Sequence, residues 1–108
     1  MRADGPRRVV RMTPLAGGVP VELTVDAVVL GLGILPNVEF AESAGLAVDN
    51  GIVVDEQLRT SRPDIYAAGD VASPFKEPLG KRLRSEHEDN ANMMGRHAGR
   101  NMAGETRA

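Results

Sequence analysis

The sequence predicts an α/β fold, and three observations carry that reading. Two β-rich runs, Arg7–Met12 and Val19–Thr24, flank Gly17-Gly18, a pair in which either glycine can take the positive φ of a tight turn. Two further runs, Asp26–Gly31 and Ile65–Gly69, are apolar without alternation, the pattern of strands covered on both faces. Beyond Ser85, Ala91, Met94, Ala98 and Met102 recur at helical spacing, with Glu88 and Asp89 early and Arg96 and Arg100 late, as the helix dipole favours.

The first two runs form a hairpin, and Asp26–Gly31 follows as a buried strand. After the loop Gly33-Ile34-Leu35-Pro36-Asn37, a short helix fits over Val38–Gly45, with Asn37 as N-cap and Gly45 as its stop. Asp49-Asn50-Gly51 is a turn signal, Ile52–Asp55 a brief strand, and Glu56–Pro63 a polar stretch. Ile65–Gly69 is the next strand and stops abruptly at Asp70. Pro74 and Pro78 predict an extended or irregular loop over residues 72–81. Ser85-Glu86-His87-Glu88 has the spacing of a capping box, Ser85 bonding a first-turn N–H and Glu88 reaching back, so the last helix begins there. Glu105–Ala108 should fray.

Length and composition restrict the function. With 108 residues, 42% of them hydrophobic and 3% aromatic, the chain is of one-domain size and its core must be economical, aliphatic and Ala-rich. Thirteen basic against fifteen acidic residues leave a net charge of -2, so no bulk field recruits nucleic acid or an acidic membrane surface. The absence of cysteine removes disulfides, thiolate metal sites, cysteine nucleophiles and redox dithiols together, so any redox chemistry needs a cofactor. No apolar run reaches the length of a spanning helix, and a soluble, cytoplasmic chain is the expectation. His87-Glu88 has no second histidine at metalloprotease spacing, and no metal is expected.

The most informative string is Thr60–Asp70. A buried strand ending in small residues lets a flat ligand approach the backbone, and a terminal carboxylate accepts hydrogen bonds from sugar-like hydroxyls. The plainer alternative is a turn for which Gly69 and Asp70 merely supply geometry. Lys81-Arg82-Leu83-Arg84 reads either as a solvated basic loop or as an attractor for a phosphate or an acidic redox partner. Met93, Met94 and Met102 read as core.

With Thr60-Ser61-Arg62-Pro63-Asp64-Ile65-Tyr66-Ala67-Ala68-Gly69-Asp70 in view, and Gly33-Ile34-Leu35-Pro36-Asn37 ahead of it, the chain resembles the FAD-dependent pyridine nucleotide-disulfide oxidoreductases. The resemblance is closest to the ferredoxin reductase and apoptosis-inducing-factor-like branch. It implies a partial FAD/NAD(P)-binding Rossmann-like domain, with a β-hairpin or small β-meander and a C-terminal helix. Residues 1–30 would end the pyridine-nucleotide-binding domain with a hairpin and its last strand, and residues 31–108 would be the returning half of the FAD domain. Asp70 would bind the flavin ribityl chain, with Gly69 and Val71 lining the site, and Gly33 would lie near the nicotinamide. Arg84-Ser85-Glu86-His87-Glu88-Asp89-Asn90-Ala91 is similar to the segment that starts the helix beside the isoalloxazine. There His87 would face the flavin, as in the apoptosis-inducing-factor-like branch, and Glu86 would neighbour the nicotinamide. Ordinary first-turn polar residues are the alternative for both.

The family's glycine-rich pyrophosphate turn has no counterpart here, because Gly31-Leu32-Gly33 runs into Pro36 where a third glycine would stand. Two hypotheses follow. In one the chain is a portion of an FAD-dependent NAD(P)H oxidoreductase, passing hydride from nicotinamide to flavin and electrons to a ferredoxin, a quinone or oxygen. Its partners would be a redox acceptor protein and either a second copy or the absent N-terminal half. In the other it is a non-catalytic remnant or interaction module that keeps the fold pattern without binding flavin alone. On either hypothesis the isolated chain has little or no turnover.

Overall fold

The computed structural model describes residues 1–105, and it divides into two compact units, Met1–Gly33 and a second from Ile34 onward. The first is a three-stranded antiparallel meander of β1 (Arg2–Asp4), β2 (Arg7–Met12) and β3 (Val21–Val25). Gly5, at φ +59, and Pro6 turn β1 into β2, with glycine at the first central position of the two-residue loop. The predicted hairpin is present, with Arg8 opposite Val25 and Met12 opposite Val21. Val9 on the central strand is the buried apolar side chain of this unit among the described residues.

The strand expected at Asp26–Gly31 is not formed: this stretch has no regular structure, and Val29 and Leu30 are 95% and 68% exposed. A two-sided apolar run becomes a strand only where neighbours supply both ladder partners and cover, and the described residues pair nothing with it.

The second unit begins with α1 (Glu39–Ser43). Val38, not Asn37, occupies its N-cap, and no side chain caps it. Its other end is as expected. Gly45, at φ +78, lets its own N–H reach the Glu42 carbonyl and that of Leu46 reach the Ala41 carbonyl, a Schellman stop that buries Ala41 and Leu46. β4 (Ile52–Val54) pairs in parallel with β5 (Ala72–Lys76), which pairs antiparallel with β6 (Lys81–Arg82) after a 3-10 turn at Glu77–Leu79.

Two corrections concern this sheet. The stretch Ile65–Gly69 is no strand but makes a single antiparallel bridge, Tyr66 to Arg59, because the Ile65 N–H turns back to the Arg62 carbonyl. Residues 72–76, expected as irregular, form the central strand β5 despite Pro74. Pro74 lies opposite Val54, while its carbonyl accepts from the Leu83 N–H at 3.2 Å. Having no N–H, it returns no bond to Leu83, and the β5–β6 ladder stops there.

The last helix, α2 (Glu88–Met102), begins later than the capping box implied. His87 is the N-cap, its Nδ1 accepting from the Asp89 N–H at 3.2 Å, and Ser85 caps nothing; its carbonyl accepts from Asn90 Nδ2. The core of the unit is Val54, Leu58, Ala67, Ala72 and Ala98, with Ile52, Tyr66, Ala68 and Met94 packed against it, aliphatic and Ala-rich as composition required. Met93 and Met102 are each 66% exposed, so of the three methionines read as core only Met94 packs. Asn101 takes the buried position instead and donates to the Gln57 carbonyl at 2.9 Å. Among the described residues no helix is long and apolar enough to cross a membrane.

Candidate functional site

The turn Gly69–Asp70–Val71 carries half of the predicted site. Gly69 is buried at φ +82, a backbone state that favours glycine, and a Cβ there would stand in ordinary contact, 3.5 Å, with that of Ala91 in α2. The room expected at Gly69 for a flat ligand is therefore taken by Ala91 on that side. The turn is fastened at three points. The Gly69 carbonyl accepts from Ala72, the Val71 carbonyl accepts from the Ile52 N–H at 2.7 Å where β4 starts, and the Asp70 carbonyl accepts from Arg84 Nη1 at 2.8 Å. Asp70 is exposed, whereas Val71 is half-buried and lines an apolar cavity of about 460 Å³ with Phe40, Ile52 and Tyr66.

Glu86 joins this turn through Arg84. The Arg84 side chain is 8% exposed, and its Nη2 donates to Glu86 Oε1 at 2.9 Å while Nη1 holds the Asp70 carbonyl. The backbone between them has no regular structure, and α2 begins only at Glu88. His87 at φ -148 and ψ 136 is extended, so the helix starts only after it and not at Ser85. His87, next in sequence, is 68% exposed at the positive end of α2.

The Asp70 carbonyl and Glu86 are thus linked through Arg84, with Gly69 and Val71 in the same turn as Asp70, and His87 is the N-cap of α2. Gly33 belongs to the first unit, at φ +81. A larger cleft of about 730 Å³, lined by residues including Leu58, Phe75, Met94 and His97, contains none of the predicted site residues.

The residue that sequence reasoning missed is Arg84, read there as part of a basic loop that is either solvated or an attractor for a phosphate or an acidic redox partner. Arg82 is misjudged likewise: its Nη1 donates to the Ser73 carbonyl at 2.6 Å and to that of Val54 at 3.2 Å, tying two strand ends. No signal in the sequence separates them from solvated arginines, because a polar residue flanking Leu83 reads as facing water and the carbonyls that hold these guanidinium groups are distant in the chain.

Asp55 is the described group held clearly off its ordinary value. Burial pushes its carboxyl up, but the N–H groups of Arg59 and Gln57 and the Arg59 guanidinium outweigh that and hold it below the usual carboxylate range. All these partners lie within its own turn, which marks a structural role.

The chemistry of this cluster is that of an acceptor. A carboxylate only accepts, which suits the hydroxyls of a sugar alcohol, and the start of a fifteen-residue helix favours negative charge nearby. These residues fit one half of a nucleotide-cofactor site. They do not supply its pyrophosphate loop, since no described segment carries a glycine-rich turn directly into a helix.

The chain belongs to the pyridine nucleotide-disulphide oxidoreductase family, whose sequence model matches residues 3–95. It is 49% identical over 75 residues to the ferredoxin–NAD(+) reductase component of the anthranilate 1,2-dioxygenase system of Burkholderia cepacia, a match covering 65% of this chain and 18% of that protein. It is 44% identical over 81 residues to the mitochondrial apoptosis-inducing factor 1 of Dictyostelium discoideum, covering 72% of this chain and 15% of that one. Both branches of the resemblance are thus represented. The crystal structure of a ferredoxin reductase from Rhodopseudomonas palustris superposes with a TM-score of 0.77 at 38% identity, over 98% of this chain and 25% of that one. The chain therefore spans a minor part of the length of the relatives it matches.

Proposed function

We propose that this chain contributes the returning half of the FAD site in an NAD(P)H oxidoreductase, which passes hydride from nicotinamide to flavin and electrons to an acceptor such as a ferredoxin or a quinone. FAD, when bound, would supply the conversion between two-electron and one-electron transfer. The chain's own part is binding and orientation. Asp70 accepts from ribityl hydroxyls, the backbone of Gly69 and Val71 lines the approach, and Glu86 and His87 stand beside the ring at the positive end of α2. Gly33 belongs to the nicotinamide side.

The observation that supports this reading is the exposed carboxylate of Asp70 on a turn whose backbone is fastened at three points beside the start of α2. A preorganised acceptor binds without first ordering its loop. The names of the relatives support the acceptor class: two of those compared are ferredoxin reductases.

A second reading, a module that keeps the fold pattern without holding flavin by itself, draws on the lack of a glycine-rich turn among the described residues. Visible absorption of the chain after FAD addition and desalting, with circular dichroism on the same sample, separates the two. Retained flavin at near one per chain, weakened about 5- to 150-fold by Asp70→Asn, supports the first. A folded, colourless chain supports the second.

A further inference from the structure

The geometry of Arg84 is more specific than a basic residue on a loop requires. Its guanidinium, almost fully buried, reaches the Asp70 carbonyl with one nitrogen and the Glu86 carboxylate with another, both within 2.9 Å. Its Nε lies 3.5 Å from Asn50 Oδ1. Its stem runs over Gly51: a Cβ at Gly51 would lie 2.6 Å from Arg84 Cδ and 2.6 Å from the Val71 oxygen. Gly51 is buried at φ +120, a backbone state that side chains disfavour, so this glycine leaves a slot that the arginine stem fills.

We propose that Arg84 is a positioning residue that fixes Asp70 relative to Glu86 and thereby sets the spacing of the flavin-contacting groups. The inference rests, for its functional half, on the flavin reading above. A planar guanidinium offers donors at fixed angles, so two acceptors bound to its two ends cannot drift independently. Asp70 and Glu86 come from segments sixteen residues apart by their numbering, and the described hydrogen bonds that join them run through this one side chain. A lysine in its place keeps the charge and most of the stem, but its ammonium has no fork.

The test titrates FAD into the whole chain, read by flavin fluorescence, and measures backbone order parameters by NMR with and without ligand. Three variants are compared. Arg84→Lys keeps charge without the fork, Arg84→Met keeps the stem alone, and Asn101→Ala removes a buried hydrogen bond of similar kind elsewhere in the unit. Arg84→Lys should weaken FAD binding about tenfold and Arg84→Met further, while Asn101→Ala leaves binding unchanged. Wild-type affinity in Arg84→Lys, or an equal loss in Asn101→Ala, overturns the proposal. If the wild-type chain takes up no FAD, the flavin reading fails, and Arg84 is judged on the ligand-free chain. There the order parameters of residues 69–71 and 85–87 should fall together in the Arg84 variants and not in Asn101→Ala. A fall in one segment alone, or in neither, refutes the clip. Should Arg84→Met not fold, Arg84→Lys carries both comparisons.

Discussion

Replacing Gly51 with alanine should damage the second unit far more than the same change at Gly45. Both glycines have positive φ, +120 at Gly51 and +78 at Gly45, so both substitutions incur backbone strain. At Gly45 a Cβ meets nothing within 4 Å among the described residues, and the cost is that of a left-handed residue, about 1–2 kcal/mol. At Gly51 the strain is of the order of 1–3 kcal/mol, because φ +120 lies outside the left-handed well. The new Cβ also falls 2.6 Å from the Val71 oxygen, a backbone atom already holding the Ile52 N–H. Relieving that clash adds about 1–3 kcal/mol, as overpacking does elsewhere. The gain from restricting the unfolded chain is the same for both and cancels in the comparison. Gly51→Ala should therefore be about 2 kcal/mol worse than Gly45→Ala, a shift of the order of 1 M in urea midpoint. The chain has one tyrosine and no tryptophan, and Tyr66 packs on the core of the second unit, so its fluorescence reports that unit. Equal midpoints for the two variants would refute the steric argument.

Three other outcomes follow from the same contacts. Arg82→Met should cost about 1–3 kcal/mol by Tyr66-monitored urea unfolding, because it removes the two hydrogen bonds that the guanidinium donates to the carbonyls of Val54 and Ser73; a cost under about 0.5 kcal/mol would show that water replaces it. The folded state holds the Asp55 carboxylate below its ordinary value, so its contribution is complete above the ordinary carboxylate range and fades as pH falls through the lowered value. Asp55→Asn should therefore flatten the acid limb of the urea midpoint against pH, with at most about 0.5 kcal/mol lost at neutral pH since the ion pair is exposed. Asp70→Ala should leave the midpoint within about 0.5 kcal/mol of wild type, since Asp70 is exposed, even where it abolishes flavin uptake.

What the sequence made legible is what local chemistry decides. Gly17-Gly18 between β-rich runs marked the hairpin, although its hydrogen-bonded turn is Pro14–Gly17; Gly45 marked the helix stop, and the spacing of Met94 and Ala98 one face of α2. What it hid depends on partners distant in the chain. Asp26–Gly31 and Ile65–Gly69 have the composition of buried strands, but composition does not supply a neighbouring ladder. Pro74 was read as a breaker, yet its missing N–H falls where the ladder ends and costs β5 only one bond. Ser85 has the spacing of a cap, but Glu86 is engaged by Arg84 and the extended residue whose side chain accepts from the first turn is His87. At the candidate site the motif placed Asp70 and Glu86, and only the structure revealed the arginine between them.

The meander of the first unit rests on Val9 as its buried apolar side chain. With so little burial behind them, its strand amides should open at a free energy of their own, well below that of the core around Val54 and Ala72. Native-state deuterium uptake would then divide the chain into an early-exchanging sheet over residues 2–25 and a late-exchanging one, and a protease would cut at Gly17-Gly18 while Tyr66 still reports a folded environment.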